Sequence, residues 1–343
     1  MVSGEKNSRR IWVIKDKEKN MQKVAFICPP SQESFIIPIA NRMKDVNEVK
    51  EVYQANSTMI IDAIQWADIV WLEWASQFSI ELTNHPLALE NKVVIMRLHS
   101  FEALNGMISK INWNKIHHLI FVSDNVRNIS IEQICAVNKM NNFFTYIIPN
   151  GVDMNKFPFV EKEKGKNIAY IGYISHKKGP MLMLQAFESL ICEDPSYRLH
   201  IAGMHTDMRF KVYMDHIINE MGIQDFVTFY GHVDNMSEWL KDKHYVACSS
   251  PWESQNMSVM EAMATGICPL VHNFPGSKEI YPEKYIWTTV NEFRDLVLTL
   301  PWEQQEYRNI IQQRYEFEAQ FQKILFIFNE IGENFYGSMI DIV

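Results

Sequence analysis

Several signatures that would assign a class at once are missing from this 343-residue sequence. No apolar run approaches the roughly 20 residues that cross a bilayer. The charged start, MVSGEKNSRR, lacks the apolar core of a secretory signal. A cytoplasmic location, at most peripheral to the inner face of a membrane, is therefore expected. No Cys-x-x-Cys occurs, and the five cysteines (Cys28, Cys135, Cys192, Cys248, Cys268) are odd in number and set in apolar or strand-like contexts. Buried thiols in a reducing compartment are expected rather than a disulfide framework, and the sequons at Asn56, Asn128 and Asn256 then read as chance matches. No Gly-x-Gly-x-x-Gly follows a strand pattern, which removes the fingerprint a nicotinamide-dependent dehydrogenase needs. No two aspartates stand two residues apart, so the Asp-x-Asp pair that bridges a divalent metal to a diphosphate is absent. Excess positive charge is absent too. Residues 1–150 carry 16 Lys+Arg against 15 Asp+Glu and the remainder 17 against 26, and an acidic half argues against nucleic acid as a partner.

What is present is the composition of a soluble protein, 47% hydrophobic and 22% charged, with length enough for two domains. From Lys23, short continuous apolar runs alternate with amphipathic stretches. KVAFICPP (23–30), ADIVWLEW (67–74), KVVIMRLHS (92–100), HHLIFVS (117–123) and FFTYIIP (143–149) read as strands, and SFIIPIANRMKD (34–45) as the helix after the first. Unbroken apolar strands suit a parallel sheet covered on both faces. The series restarts at Asn167, with strand patterns at 167–174, 197–203, 226–233, 245–250 and 267–273 and helices at 181–193, 209–222 and 258–266. Repeated βαβ units in two successive sets predict two doubly wound domains. EKEKGK, near their junction at 150–166, reads as an exposed linker, and residues 315–331 as a last amphipathic helix.

Three stretches carry chemistry. In SSPWESQNMSVMEAMATGICPL (249–270) a strand ends, a turn carries Glu253, and a helix opens near Ser258. Such a turn offers free backbone N–H groups and the positive end of a helix dipole, a place for phosphate. Glu253 and Glu261, with seven residues between them, are placed to accept hydrogen bonds from sugar hydroxyls, or equally to stabilise the dipole. In IGYISHKKGPMLMLQAF (171–187) a loop between strand and helix presents Lys177 and Lys178, which either neutralise a diphosphate or are simply solvated. In RLHSFEA (97–103), His99 stands at the C-terminal end of a strand, the end at which open α/β sheets bind ligands; a packed core histidine is the blander reading.

The order of these motifs resembles the retaining glycosyltransferases of family 4, which have the GT-B fold of two Rossmann-like domains facing across a cleft. The resemblance rests on PNGVD at 149–153, a G-R-L-x-x-x-K-G-like run at 172–179, LHIAG (199–203), VTFYGHV (227–233) and the E-x7-E helix–strand at 253–270. It implies transfer of a sugar from a UDP- or GDP-sugar to an acceptor hydroxyl, with no cofactor and no metal. Carried over position by position, it implies that Glu261 binds the ribose hydroxyls, Glu253 the transferred sugar, and the backbone at Asn256, Met257 and Ser258 the phosphates. Lys178 offsets the diphosphate charge, His99 contacts the donor sugar near the reacting centre, and the loop at Gly231–Val233 lies against the base. The implied domains are an extension (1–20), an acceptor domain (21–150), a nucleotide-sugar domain (151–314) and a terminal segment (315–343) that packs back on the first.

Three departures stand out. Tyr173 occupies the place of the usual arginine, which leaves Lys177 to replace it. Ser254-Gln255-Asn256 stands where Gly-Phe-Gly is usual, with Asn256 able to adopt a positive φ. PPSQESF (29–35) replaces a glycine-rich loop, leaving the acceptor (saccharide, lipid or protein) open. A GT-B isomerase or phosphorylase and a non-catalytic partner subunit are the alternatives. A weak membrane-surface association rests on MISKINWNKIHH (107–118), which mixes Lys110 and Lys115 with Ile111 and Trp113; an ordinary connection between elements is the simpler reading.

Overall fold

The computed structural model describes residues 21–137 and 143–340, with side chains as far as Glu333. The extension assigned to residues 1–20 lies outside the described residues. Among the described residues, twelve strands form two six-stranded parallel sheets. The first contains β1 (Lys23–Ile27), β2 (Glu48–Val52), β3 (Ile69–Glu73), β4 (Val93–Leu98), β5 (His118–Phe121) and β6 (Phe144–Ile147), in the order β2-β1-β3-β4-β5-β6. The second contains β7 (Asn167–Ile171), β8 (Arg198–Ala202), β9 (Val227–Gly231), β10 (Tyr245–Cys248), β11 (Cys268–His272) and β12 (Ile286–Trp287), in the order β12-β11-β10-β7-β8-β9. The chain is thus an α/β protein of two Rossmann-like domains. Every residue of β3, IVWLE, is buried, because helices cover both faces of the sheet. β2, EVKEV, alternates toward solvent at the sheet edge, so a search for apolar runs passes over it; β12 has only two residues.

Each sheet order reverses once, between β1 and β3 in the first and between β7 and β10 in the second. There the connections leave toward opposite faces and open a crevice at the C-terminal ends of the strands. Those two crevices are where the site lies.

The terminal helix (Phe317–Ile340) leaves the second domain and packs on the first. Phe321, Ile324, Ile327, Phe328 and Ile331 are buried there with Val24, Phe26 and Trp71, and the rings of Phe328 and Trp71 stack at 6.3 Å. Each such side chain contributes about 1.5–3 kcal/mol. The two chain crossings pair with each other: Val152 N donates to Tyr315 O at 2.7 Å and Phe317 N to Val152 O at 3.0 Å. A Cβ on Gly151 would stand 2.5 Å from Phe317 Cα, so only glycine lets the crossings approach this closely.

Several sequence expectations are corrected at this level. The 107–118 stretch, read as a weakly basic amphipathic segment, does not present Ile111 and Trp113 to a surface; it is the ordinary connection between elements. It forms two short 3-10 turns and the start of β5, with Ile111 and Trp113 in the core and the Trp113 indole donating to Ile108 O. It offers no apolar face to a membrane. Cys28, Cys248 and Cys268 are buried, but Cys135 and Cys192 are exposed, because helical rather than strand periodicity turns them to solvent. EKEKGK (161–166) is mostly exposed but not slack: Lys162 donates to Leu240 O and Lys243 O, and Lys164 to Leu300 O. Asn56 is exposed and caps a helix by accepting from Met59 N, whereas Asn256 is buried. Among the described residues, no helix is long and apolar enough to cross a membrane.

Candidate active site

The second domain's crevice is built from the loops after β7 and β10. Ser249 Oγ joins them, donating to Lys178 O at 3.0 Å and Gly179 O at 2.8 Å, and the Tyr170 hydroxyl also donates to Lys178 O. This staple sets the lysine loop against the turn that carries Glu253. Lys178 Nζ lies 2.5 Å from Glu253 Oε1, Ser250 Oγ donates to the same oxygen at 2.9 Å, and Lys177 Nζ stands 3.9 Å from Oε2. One carboxylate therefore sits between two lysines, its side chain 7% exposed.

The turn is held from behind. Gln255 is buried, accepting from Asn150 N at 2.7 Å and donating to Asn150 O at 3.1 Å, and Tyr281 Oη donates to Gln255 O. The turn after β10 is thereby bonded directly to the crossing between domains. Asn256 has φ 59°, in the left-handed region, and starts the helix Met257–Ala264. Val259 N and Met260 N both reach Asn256 O, whereas the N–H groups of Met257 and Ser258 precede the first intrahelical bond.

The first domain contributes the facing wall. A glutamate at the end of β3 and an arginine in β4 form a fully buried pair: Arg97 Nη2 to Glu73 Oε1 at 2.7 Å, Arg97 Nε to both oxygens, and the Trp71 indole to Oε2 at 2.8 Å. His99 Nε2 completes the cluster, 2.7 Å from Glu73 Oε1. Burial works to raise the Glu73 pKa, but Arg97 and His99 outweigh it and hold it at about 2. Burial keeps His99 below its ordinary value despite Glu73. A neutral imidazole beside an ionised carboxylate carries its proton on Nε2, leaving the lone pair on Nδ1. Glu102 lies beneath, accepting from Ala75 N and His99 N, its pKa pushed up to about 8 by burial. Trp74 stacks on His99, with ring centroids 3.9 Å apart and planes at 22°, and Phe35 lies 5.1 Å from the same imidazole. Trp74 has φ 72°, a conformation that costs a bulky residue about 1–3 kcal/mol and persists only where its surroundings impose it.

Between the walls is a cavity of about 450 Å³ lined from both domains. The structure brings His99, Lys177, Lys178, Glu253, Asn256, Met257, Ser258, Val233 and Tyr173 to it. Tyr173 stands at the lip, 69% exposed, offering a phenol where a guanidinium was the expectation's pattern. Two of the candidates are not in its wall. Gly231 lies behind Val233, its carbonyl accepting from Gly203 N. Glu261 is half-buried one helical turn beyond Met257, and burial raises its pKa to about 7 against the pull of Lys156. Asn150 and Asn256 both line the cavity, and the side-chain oxygen of each is buried with no hydrogen-bond partner among the described residues.

Sequence reasoning missed Glu73, Arg97, Trp74, Phe35 and the role of Gln255. One signal was readable: a glutamate and an arginine within otherwise apolar buried strands are out of place unless they meet. The aromatic cluster left no such signal, since its members come from three separate loops.

Comparison with known proteins follows the same division. Residues 152–311 match the family model described as glycosyl transferases group 1. A GDP-mannose:cellobiosyl-diphosphopolyprenol alpha-mannosyltransferase of Xanthomonas oryzae is 25% identical over 232 residues, 63% of this chain and 58% of that protein. The protein of the same name from Xanthomonas campestris is 26% identical over 151 residues, 43% of this chain and 40% of that one. The chain thus spans 40–58% of the length of these curated relatives. Anabaena HepE, solved in complex with UDP, superposes with a TM-score of 0.75 at 14% identity, covering 90% of this chain and all of that one. A glycosyltransferase from Rickettsia africae gives 0.71 at 14% identity, covering 92% and 100%. The chain has the GT-B fold of solved glycosyltransferases, and the half that matches the group 1 glycosyl transferase model is the half that carries the lysine–glutamate crevice.

Proposed function

We propose that this protein is a glycosyltransferase that moves a sugar from a UDP- or GDP-sugar to an acceptor hydroxyl, with retention at the anomeric carbon and without a divalent metal. The observation that carries the reading is Glu253 held between Lys177 and Lys178 at the opening of a helix, across a cavity from His99. A nucleoside diphosphate sugar has parts that match this order of groups. Its diphosphate meets Lys178, Lys177 and the amides of Met257 and Ser258 with the helix dipole behind them. Its sugar meets Glu253 and the Nδ1 lone pair of His99, its ribose Glu261, and its base the Gly231–Val233 loop. The sequence relatives named for GDP-mannose make that donor the first to try, and the UDP complex of HepE makes UDP-sugars the second.

In the reaction the bond between the anomeric carbon and the leaving phosphate oxygen breaks. The acceptor oxygen bonds to the same carbon on the same face, and its proton passes to that phosphate oxygen. The products are a glycoside and a nucleoside diphosphate. The charge growing on the diphosphate is met by preorganised cations and amides, the kind of stabilisation that contributes most where water is excluded. Glu253 binds the sugar rather than attacking it, with its Oε1 already accepting from both Lys178 and Ser250.

The test is a thermal-shift screen of nucleotides and nucleotide sugars, followed by product analysis. Binding to the native state alone raises the melting temperature, by an amount set by ligand concentration over Kd. A rise with GDP or UDP, lost in Glu261→Ala, supports the reading. No rise with any nucleoside diphosphate would sink it.

A further inference from the structure

Neither Glu73 nor Arg97 belongs to the motifs that carry the family resemblance, yet their contacts decide which atom of His99 faces the cavity. Glu73 Oε1 accepts from Arg97 Nη2 at 2.7 Å and from Arg97 Nε at 3.0 Å. Its Oε2 accepts from the Trp71 indole at 2.8 Å and from Arg97 Nε at 3.1 Å. Guanidinium and indole groups only donate, and an ionised carboxylate only accepts. His99 Nε2, 2.7 Å from Oε1, therefore carries the hydrogen of that contact. The other ring nitrogen, Nδ1, has no partner among the described residues, on a ring that lines the cavity.

Charge balance then keeps Nδ1 bare. Glu73 and Arg97 are fully buried and cancel each other, so a second proton on His99 would stand as a net positive charge on a side chain only 3% exposed. Burial is the largest influence on that imidazole and disfavours its charged form, and Arg97 and Lys177 act in the same direction against Glu73. Glu102, whose carboxylate oxygens meet His99 N, has a pKa of about 8, so it is mostly uncharged at neutral pH and adds little compensation. The ring faces of Trp74 and Phe35 favour a cation, but by less than desolvation opposes one. An apolar pair of similar volume often holds a fold as well as a buried ion pair does. It could not fix a tautomer.

We propose, resting on the donor site described above, that Glu73 and Arg97 are positioning residues that hold His99 as a hydrogen-bond acceptor toward the transferred sugar, and that this sugar is a neutral one rather than a uronic acid. Both side chains assigned to the sugar, Glu253 and His99, then offer acceptors, which suit hydroxyl donors and repel a carboxylate. The cations of the cavity, Lys177 and Lys178, serve Glu253 and the diphosphate.

The experiment has two arms. NMR of the ring nitrogens in histidine-labelled protein, with the His99 signal assigned by its loss in His99→Phe, reads the tautomer without any substrate. We expect His99 neutral and protonated on Nε2 from about pH 8 down to about pH 6, whereas Arg97→Met, which leaves Glu73 unbalanced, should draw a second proton onto the ring near neutral pH. The second arm measures affinity and nucleotide release for GDP-mannose and UDP-glucose against GDP-mannuronate and UDP-glucuronate. Neutral donors should be preferred by at least about a hundredfold, the scale of a like-charge mismatch. Glu73→Met/Arg97→Met removes both charges and the acceptor for Nε2. It should lower kcat with a neutral donor about tenfold, the effect of one hydrogen bond, with the Kd of the nucleoside diphosphate changed less than about twofold. Glu73→Gln/Arg97→Met also removes both charges but leaves an amide oxygen for Nε2, and should recover most of that loss; a merely structural pair would not distinguish the two. In a His99→Phe background the change to two methionines should cost no further activity. An imidazolium or an Nδ1–H tautomer in the wild type near neutral pH would overturn the proposal, as would equal rates in the two double variants or a uronate donor used as well as a hexose. The wild-type measurements decide the matter even where a double variant fails to fold. If the wild type binds nucleotide and turns over a neutral donor but one of these outcomes appears, the assignment of Glu73 and Arg97 fails alone. If no nucleoside diphosphate binds, the reading of the whole site fails and this proposal with it.

Discussion

Removing Lys178 should damage stability and turnover by separable routes. Glu253 is 7% exposed and its strongest partner is Lys178 Nζ at 2.5 Å, itself 20% exposed. Breaking a fully buried pair by deleting one partner costs about 3–5 kcal/mol, because a buried charge is left uncompensated. Here Ser250 Oγ still donates to Glu253, Lys177 stands 3.9 Å away, and water reaches the lysine. The expected loss in Lys178→Ala is therefore about 1–3 kcal/mol, which at about 2–4 °C per kcal/mol for a domain of this size is a fall in Tm on the order of 5 °C. Glu253→Ala removes the stranded charge, so the double variant Lys178→Ala/Glu253→Ala should melt higher than Lys178→Ala. The coupling read from the four-member cycle should be about 1–3 kcal/mol. Turnover should behave differently. If Lys178 meets the leaving diphosphate, its loss lowers kcat by about 10²–10³, the scale of a lost oxyanion donor, and the double variant recovers none of it. Melting by circular dichroism and nucleotide release from GDP-mannose and UDP-glucose read the two effects. A double variant no more stable than Lys178→Ala refutes the ion-pair account, and a kcat within twofold of wild type moves the diphosphate role to Lys177.

Nucleotide binding should release a proton below neutrality. Burial holds the Glu261 pKa at about 7 in the free protein, and ribose hydroxyls favour the carboxylate, so affinity should weaken as pH falls from 7 to 6 and level off above about 8. Calorimetry in buffers of different ionisation enthalpy should show that release in wild type, and Glu261→Gln should abolish it. Glu102 has a folded pKa of about 8, above the unfolded value, so its contribution to stability is present at low pH and is lost as pH rises toward 8. Glu102→Gln cannot titrate and should gain in Tm relative to wild type between pH 6 and 9; a difference independent of pH would count against this. Phe328→Ala, which empties a buried site stacked on Trp71, should cost about 3–5 kcal/mol in urea denaturation while leaving nucleotide affinity to the other domain nearly intact. Activity should survive excess EDTA and the product should retain the donor's anomeric configuration by NMR; either result reversed would refute a metal-free, retaining reaction.

The central strands were legible because a sheet covered on both faces writes itself as unbroken apolar runs, and β1, β3, β4 and β5 are such runs. β2 was not, since half of an edge strand faces water and EVKEV looks like loop. The strand-to-helix turn at 253–258 was legible for a local reason: one carboxylate, one residue able to take φ 59° and a helix start all fall within six positions. The lysine loop was legible as a loop, but its meeting with Glu253 was not, because 75 residues of chain separate them and only the parallel pairing of β7 with β10 sets their ends side by side.

The sequence alone thus determined what depends on neighbours along the chain: periodicity, turn chemistry, the two sets of βαβ units and the identity of the charged groups. Tertiary structure alone decided what depends on strand order and domain facing. It paired Glu73 with Arg97, laid Trp74 on His99, and tied Gln255 to the crossing at Asn150. It also buried Trp113, which the sequence had left free to face a surface. Desolvation and ion pairing act on whatever lies within a few ångströms, and in a doubly wound sheet those neighbours come from strands far apart in sequence.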